Sequence, residues 1–317
     1  MLRNMMNKDI LIAIGAGSLS AVAALTYQSG ASGGFLFVHF APLPLMLVGL
    51  SLGAVTGTIA AIAGVITAAL LGGLLASALF AVLLAFPAWF MTRQALLKQP
   101  TQNGGEEWYP IGSIVSLLAL MAAFMFVMVG IAEWNNAEEY QQALSKRLDL
   151  SLGIMFPSIP DVQRTPIVEL FTAILPALIG AYWIFIAVIN GILAESVLVK
   201  IDKNIRPRPV YSAMSLPEWH SWVAVAAACL AVIGSGKVDY MGHTLVTILA
   251  VPFFFNGLAV VHSLARHLAF PGLLIAAVYF SIFLSLWAAL VVAAIGVTEQ
   301  WFGLRHRLPA QAPNQEE

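Results

Sequence analysis

The stretch TPIVELFTAILPALIGAYWIFIAVINGILAESVLVK, residues 165–200, decides the class of this protein. A bilayer-spanning helix needs about 20 apolar residues, and this run exceeds that. Glu169, Pro176, Trp183 and Asn190 recur every seven residues along it, and Glu195 follows. Seven residues are close to two helical turns, so the four share one face. A carboxylate or an amide in a lipid-spanning helix is costly and turns toward protein or water, so the helix offers its neighbours a polar stripe.

The rest of the chain agrees. Sixty per cent of residues are hydrophobic and ten per cent charged, against about 25 per cent charged in soluble domains. The expected fold is an all-α, polytopic transmembrane helical bundle of eight or nine segments. The candidates are 9–26, 35–52, 53–72, 73–92, 110–131, 165–200, 218–235, 241–265 and 271–297. Segments two to four have almost no linkers. Irregular backbone is not tolerated against lipid, so they must meet in tight hairpins or be partly re-entrant. The run behind Arg3 and Lys8 reads as an uncleaved signal anchor.

Lysines and arginines in the short loops place the N-terminus on the cytoplasmic side of the cell membrane. The inner side then holds Arg93, Lys98, Lys200, Lys203, Arg206, Arg208 and Arg266. Arg305 and Arg307 fit the inside only if the crossings are even in number. One candidate would then be re-entrant, and 35–52, with Pro42 and Pro44, is the suspect. The expected organisation is an N-terminal bundle over 1–200, a basic, proline-stiffened cytoplasmic linker over 201–217, C-terminal helices over 218–300 and a polar tail over 301–317. Within the first part, 132–164 forms an outer loop. Ala137, Tyr140, Leu144 and Leu148 recur in it at helical spacing, which predicts an amphipathic helix on the membrane surface, either a brace or a lid.

Small residues at four-residue spacing form rows: Ala13, Gly17 and Ala21; Gly49, Gly53, Gly57 and Ala61; Ala60, Gly64, Ala68 and Gly72. Such rows let helix backbones approach. They pack helices of the same chain, or they dock a second membrane subunit; for the latter the candidates are Ala13, Gly17, Ala21, Gly49, Gly53 and Gly57.

Motifs of catalysis are scarce. Gly234-Ser235-Gly236-Lys237 fails as a phosphate loop, because Ala231 and Val238 stand where Gly and Ser or Thr are required. The histidines lack the spacing of a helical zinc site. No cofactor, metal or enzyme activity is expected. A net charge of −1 gives no basic footprint for nucleic acid. The single cysteine, Cys229, forms no intramolecular disulfide.

The string Pro252-Phe253-Phe254-Phe255-Asn256-Gly257-Leu258-Ala259-Val260-Val261-His262 is the most distinctive. Pro252 predicts a kink, with Asn256 one turn later on the same face. Asn256 either bonds a neighbouring backbone or lines a ligand site with Trp183, Asn190, Glu195 and His262.

Three places resemble the YybS-like family of uncharacterised polytopic bacterial membrane proteins. They are Phe40-Ala41-Pro42-Leu43-Pro44-Leu45 ahead of glycine-rich helices, Phe255-Asn256-Gly257-Leu258-Ala259 with His262, and Ile295-Gly296-Val297 with Trp301 and Arg305. That family is distantly similar to the substrate-binding subunits of energy-coupling-factor transporters. The resemblance implies a small-molecule subunit energised by a separate partner, with early small-residue helices docked on that partner and ligand entering from outside. The alternative is a non-transporting membrane scaffold or envelope-assembly factor. Expected partners are membrane lipid, a membrane subunit and a small-molecule ligand.

Overall fold

A computed structural model describes residues 2–26, 33–100 and 105–307. The expected polar tail lies, from Leu308 onward, outside the described residues. Among the described residues the chain is all-α apart from one short hairpin, and it divides into two compact units. The first comprises Met1–Ile114 and Phe185–Val210, the second Val115–Ile184 and Tyr211–Glu317. This differs from a division into 1–200 and 218–300. The eighth helix supplies both units, and 201–217 is not a free spacer, as its hydrogen bonds below make plain.

In the first unit α1 (Leu2–Leu25) lies along α4 (Ala54–Phe80). α2 (Gly34–Phe40) and α3 (Pro42–Leu52) meet at Ala41. α5 (Phe86–Ala95) follows a π-helical turn at Ala81–Ala85. That wider turn stands just before Pro87, whose ring and missing N–H favour a local departure from the α-helical register.

Two glycines reverse the chain. Gly53 has φ 100° and Gly73 φ 80°, conformations cheap only without a Cβ. Across Gly73, Ser77 Oγ donates to the Val65 carbonyl at 2.9 Å and Trp89 Nε1 to Thr58 Oγ1 at 2.8 Å. The apolar stretch Ala54–Ala95 is therefore an antiparallel hairpin. Its break falls where 53–72 and 73–92 were separated by sequence. A first limb of 19 residues rises about 28 Å, close to a hydrocarbon core.

The glycine rows are used inside this unit. A Cβ on Gly17 would lie 2.1 Å from the Ala60 carbonyl oxygen, and one on Gly57 3.1 Å from Gly49 Cα. The expected continuous row Gly49–Gly53–Gly57–Ala61 is corrected: Gly53 is the turn, and Gly49 and Gly57 face each other across it. Ala13, Ala21, Ala60 and Ala68 are fully buried. Close-packed small residues supply dispersion where lipid removes the hydrophobic drive.

Between α5 and α6 (Ile111–Ala132), strands Lys98–Pro100 and Glu106–Trp108 pair antiparallel, with Gln99 opposite Glu107. This hairpin was not expected from the sequence.

The second unit is built around α10 (Lys237–Ala265), flanked by α9 (Glu218–Ile233) and α12 (Leu286–Phe302). Contact is closest at glycines: a Cβ on Gly242 would meet Ala231 N at 2.3 Å, one on Gly257 the Val292 oxygen at 1.9 Å, and one on Gly296 the Phe253 oxygen at 1.8 Å. α7 (Ala137–Met155) is the expected amphipathic helix and buries no residue. Arg164, near the start of α8 (Asp161–Lys200), bonds Asp149 at 2.6 Å and Asp161 at 2.7 Å, tying α7 to α8.

The last candidate segment, 271–297, is corrected. It forms α11 (Pro271–Leu284) and α12, broken at Ser285, whose extended backbone ends α11 and whose hydroxyl caps Trp287 N. Arg266, just after α10, bonds Ser212 Oγ at 2.6 Å, and Arg305, just after α12, bonds the Ser212 carbonyl at 2.8 Å. An arginine side chain is far shorter than a bilayer is thick. The α11–α12 pair thus starts and finishes at one end of its unit, as a re-entrant hairpin does. The suspect 35–52 instead runs the length of the first unit: Gly34 lies beside Thr26, while Leu50 accepts a bond from Ile205 N.

Among the described residues, six helices are long and apolar enough to cross a membrane. Leu70, Leu74, Phe283 and Trp287 are among many large apolar side chains left uncovered. Such a surface fits a multi-pass membrane location.

Candidate functional site

Three polar junctions hold Asn190, Asn256 and Glu195. The first lies where α2 meets α3. Pro42 and Pro44 remove two backbone donors there. Side chains from other helices serve the local carbonyls instead: Ser20 Oγ donates to Ala41 O, and Asn190 Nδ2 to His39 O at 2.8 Å. Asn190 Nδ2 also donates to Ile186 O at 2.8 Å. The amide is 1 % exposed, and among the described residues its Oδ1 has no hydrogen-bond partner. His39 bonds the Phe35 carbonyl through Nδ1.

The second junction joins two of the motif strings. Asn256, fully buried on α10, donates to Gly296 O on α12 at 3.0 Å. Its Oδ1 accepts from Arg305 Nη2 at 3.3 Å. Arg305 Nε donates to Glu299 Oε1 at 2.8 Å, and Arg305 N to Glu299 Oε2 at 3.0 Å. Gly303, with φ 58°, turns the chain so that Arg305 folds back on α12. Gln300 Nε2 reaches Leu216 O at 3.2 Å. The buried ion pair is thus satisfied on most sides, which is what its desolvation requires. Sequence reading marked Arg305 and Asn256 separately but missed Glu299 as a buried partner. Its six-residue spacing to Arg305 signals nothing until Gly303 reverses the chain.

The third junction is a recess in the first unit, lined by Leu50, Glu195, Leu198, Val199, Asn204, Arg206, Arg208 and Pro209. α8 ends there in a Schellman motif: Lys203 N donates to Leu198 O at 2.9 Å and Asp202 N to Val199 O at 3.3 Å, with Asp202 at φ 52°. The chain then folds back, with Ile205 N on Leu50 O at 3.4 Å and Arg206 Nη1 on Ala95 O at 3.4 Å. The C-terminal ends of α3, α5 and α8 therefore meet here. Arg93, Lys98, Lys200, Lys203, Arg206 and Arg208 surround those ends, where helix dipoles favour cations. α1 runs parallel to the first limb of α4, since Gly17 meets Ala60 and Leu25 meets Gly72. Lys8 thus belongs to the same end. The described residues of the opposite end, 20–26, 33–40 and 70–76, contain no Lys, Arg, Asp or Glu.

Of the five residues expected around a ligand, Asn190 and Glu195 belong to the first unit, and Trp183, Asn256 and His262 to the second. Asn190 and Asn256 donate their amide N–H groups to backbone carbonyls. Trp183 is half-buried. His262 Nδ1 bonds Leu258 O at 2.8 Å and its ring stands edge-on to Tyr279. Glu195 alone of the five lines the recess. Of the docking candidates, Ala13, Gly17, Ala21, Gly49 and Gly57 are buried within the first unit, and Gly53 is its turn. Among the described residues, no three His, Cys, Asp or Glu are grouped to hold a metal ion.

Apolar helices of spanning length, hairpins closed at glycine and polar groups spent on helix junctions define a polytopic helical membrane protein. Residues 19–299 match the model of the family described as Predicted membrane protein (DUF2232), and the chain belongs to that family. Neither the curated proteins nor the solved structures hold a match.

Proposed function

We propose that this is a non-enzymatic, small-molecule-binding protein of the bacterial inner membrane, with its binding site in the recess at Glu195. The observation that carries the reading is the recess itself. A carboxylate, two guanidiniums and an amide line it beside apolar wall. The cationic end faces the cytoplasm by the positive-inside rule, and with it the N-terminus. Counting the α4–α5 hairpin as two crossings and α11–α12 as re-entrant gives eight crossings and a cytoplasmic tail. The YybS-like resemblance and its distant likeness to energy-coupling-factor substrate-binding subunits favour a partner that supplies energy, since any transport here needs one. Ligand entry from the cytoplasmic end would depart from that likeness. A docking scaffold draws less support, because the rows of small residues are spent within the first unit.

The test is native mass spectrometry of the full chain, purified gently from its own membrane. Retention of a small molecule that is lost in Glu195→Gln supports the reading. Protein partners with no small molecule would replace it with the scaffold.

A further inference from the structure

We propose that the tip of the α11–α12 hairpin docks, within the membrane, against the same tip of a second copy of this chain. The proposal rests on the re-entrant course of the hairpin and is independent of the recess at Glu195. α11 has 14 residues and rises about 21 Å, so the turn at Ser285 falls inside a hydrocarbon core about 30 Å thick. The extended backbone of Ser285 breaks the helical ladder there. Ser285 N returns to Ser281 O at 2.9 Å, and Ala288 N reaches Ser285 O at 3.1 Å. The Ser285 hydroxyl takes Trp287 N at 3.2 Å. Among the described residues, the carbonyls of Ile282, Phe283 and Leu284 accept no hydrogen bond. Lipid has no donor for them. Irregular backbone at such depth is tolerated only against protein or in a water-filled cavity. Water does not suit this tip, where Phe283 and Trp287 are 86 % and 78 % exposed and Leu284 and Leu286 stand beside them. Protein is the cover that remains.

Two features favour a second copy as that protein. Residues 271–298 contain no Asp, Glu, Lys or Arg, so the hairpin repels nothing when set against itself. The tip also holds a donor beside its acceptors: among the described residues, the indole N–H of Trp287 meets no acceptor. A two-fold axis sets one surface against its own copy. The indole of each protomer then serves the orphaned carbonyls of the other. Phe280, Leu290 and Val291, exposed on the two helices, extend the contact by close packing.

The experiment is photocrosslinking of the full-length protein in its own membrane, with p-benzoylphenylalanine in place of Phe283 or, as a control on the first unit, of the exposed Leu70. Position 283 is expected to give a product of twice the chain mass, joined to the α11–α12 hairpin of a second copy, and position 70 to give none. Energy transfer between labelled copies in liposomes, diluted with lipid, then measures the association. Trp287→Phe keeps an aromatic ring but loses the donor, and should weaken association about tenfold, the scale of two symmetric hydrogen bonds in a membrane. An unchanged melting temperature shows that the variant folds. A monomer throughout, equal self-crosslinking from position 70, or a Trp287→Phe variant that associates as the parent does overturns the proposal. Capture of a different protein at position 283 overturns the second copy as the occupant. Labelling of the two hairpin ends from opposite faces removes the re-entrant course and the proposal with it. None of these outcomes bears on the recess at Glu195.

Discussion

The Asn190 side-chain amide donates to the carbonyl of His39, 151 residues earlier in the chain, at 2.8 Å. The bond serves the proline-broken junction of α2 and α3, where backbone donors are scarce. Asn190→Ala should destabilise the first unit by about 1–2 kcal/mol, the range for a lost buried hydrogen bond in a membrane helix bundle. Unfolding in mixed detergents measures this. An unchanged midpoint would show the junction to be satisfied without Asn190.

Glu299 and Arg305 form a pair whose side chains are 5 % and 16 % exposed. Removing one partner strands a buried charge, so Arg305→Ala should cost about 3 kcal/mol. The double variant Glu299→Leu with Arg305→Leu should cost less than either single change. A double-mutant cycle decides it, and additive losses would mean that the two residues act independently.

Gly296→Ala places a methyl group 1.8 Å from the Phe253 oxygen, and helix backbones cannot yield as a side-chain tip can. The expected result is loss of folded protein, with a cost above about 3 kcal/mol. Gly15 in α1 has nothing within 4 Å of a built Cβ, so Gly15→Ala should stabilise by up to about 1 kcal/mol through helix propensity. Thermal stability of the two purified variants is the comparison.

Asp202 closes α8 in the left-handed region. Asp202→Gly should raise stability by about 1 kcal/mol, the usual relief of such a position. Loss of stability instead would reveal a role for the carboxylate.

The re-entrant arrangement of α11 and α12 predicts that both their ends label from one side. In a Cys229→Ser background, cysteines at Leu268 and Arg307 should react with an impermeant maleimide from the same face of sealed vesicles. Labelling from opposite faces would make 271–302 a full crossing.

Much of this architecture is legible in the sequence. Apolar length identifies the membrane helices, because backbone groups in lipid leave no alternative to helices that satisfy themselves. The boundaries at 53 and 73 are legible because glycine alone adopts those backbone angles without strain. The surface helix α7 is legible from its period, and the bond of Asn256 to a neighbouring backbone is one of the two readings that the sequence leaves open.

Tertiary structure alone decided which groups meet. The same amide chemistry in Asn190 and Asn256 suits a ligand or a carbonyl equally well, and only the packing of distant helices supplies the carbonyls of His39 and Gly296. Apolar composition reads 271–297 as one span, whereas a single extended residue at Ser285 and two arginines on Ser212 return the chain to its starting side. Sequence patterns report the period of one element at a time. Hydrogen bonds between elements depend on register and approach distance, which exist only once the helices have packed.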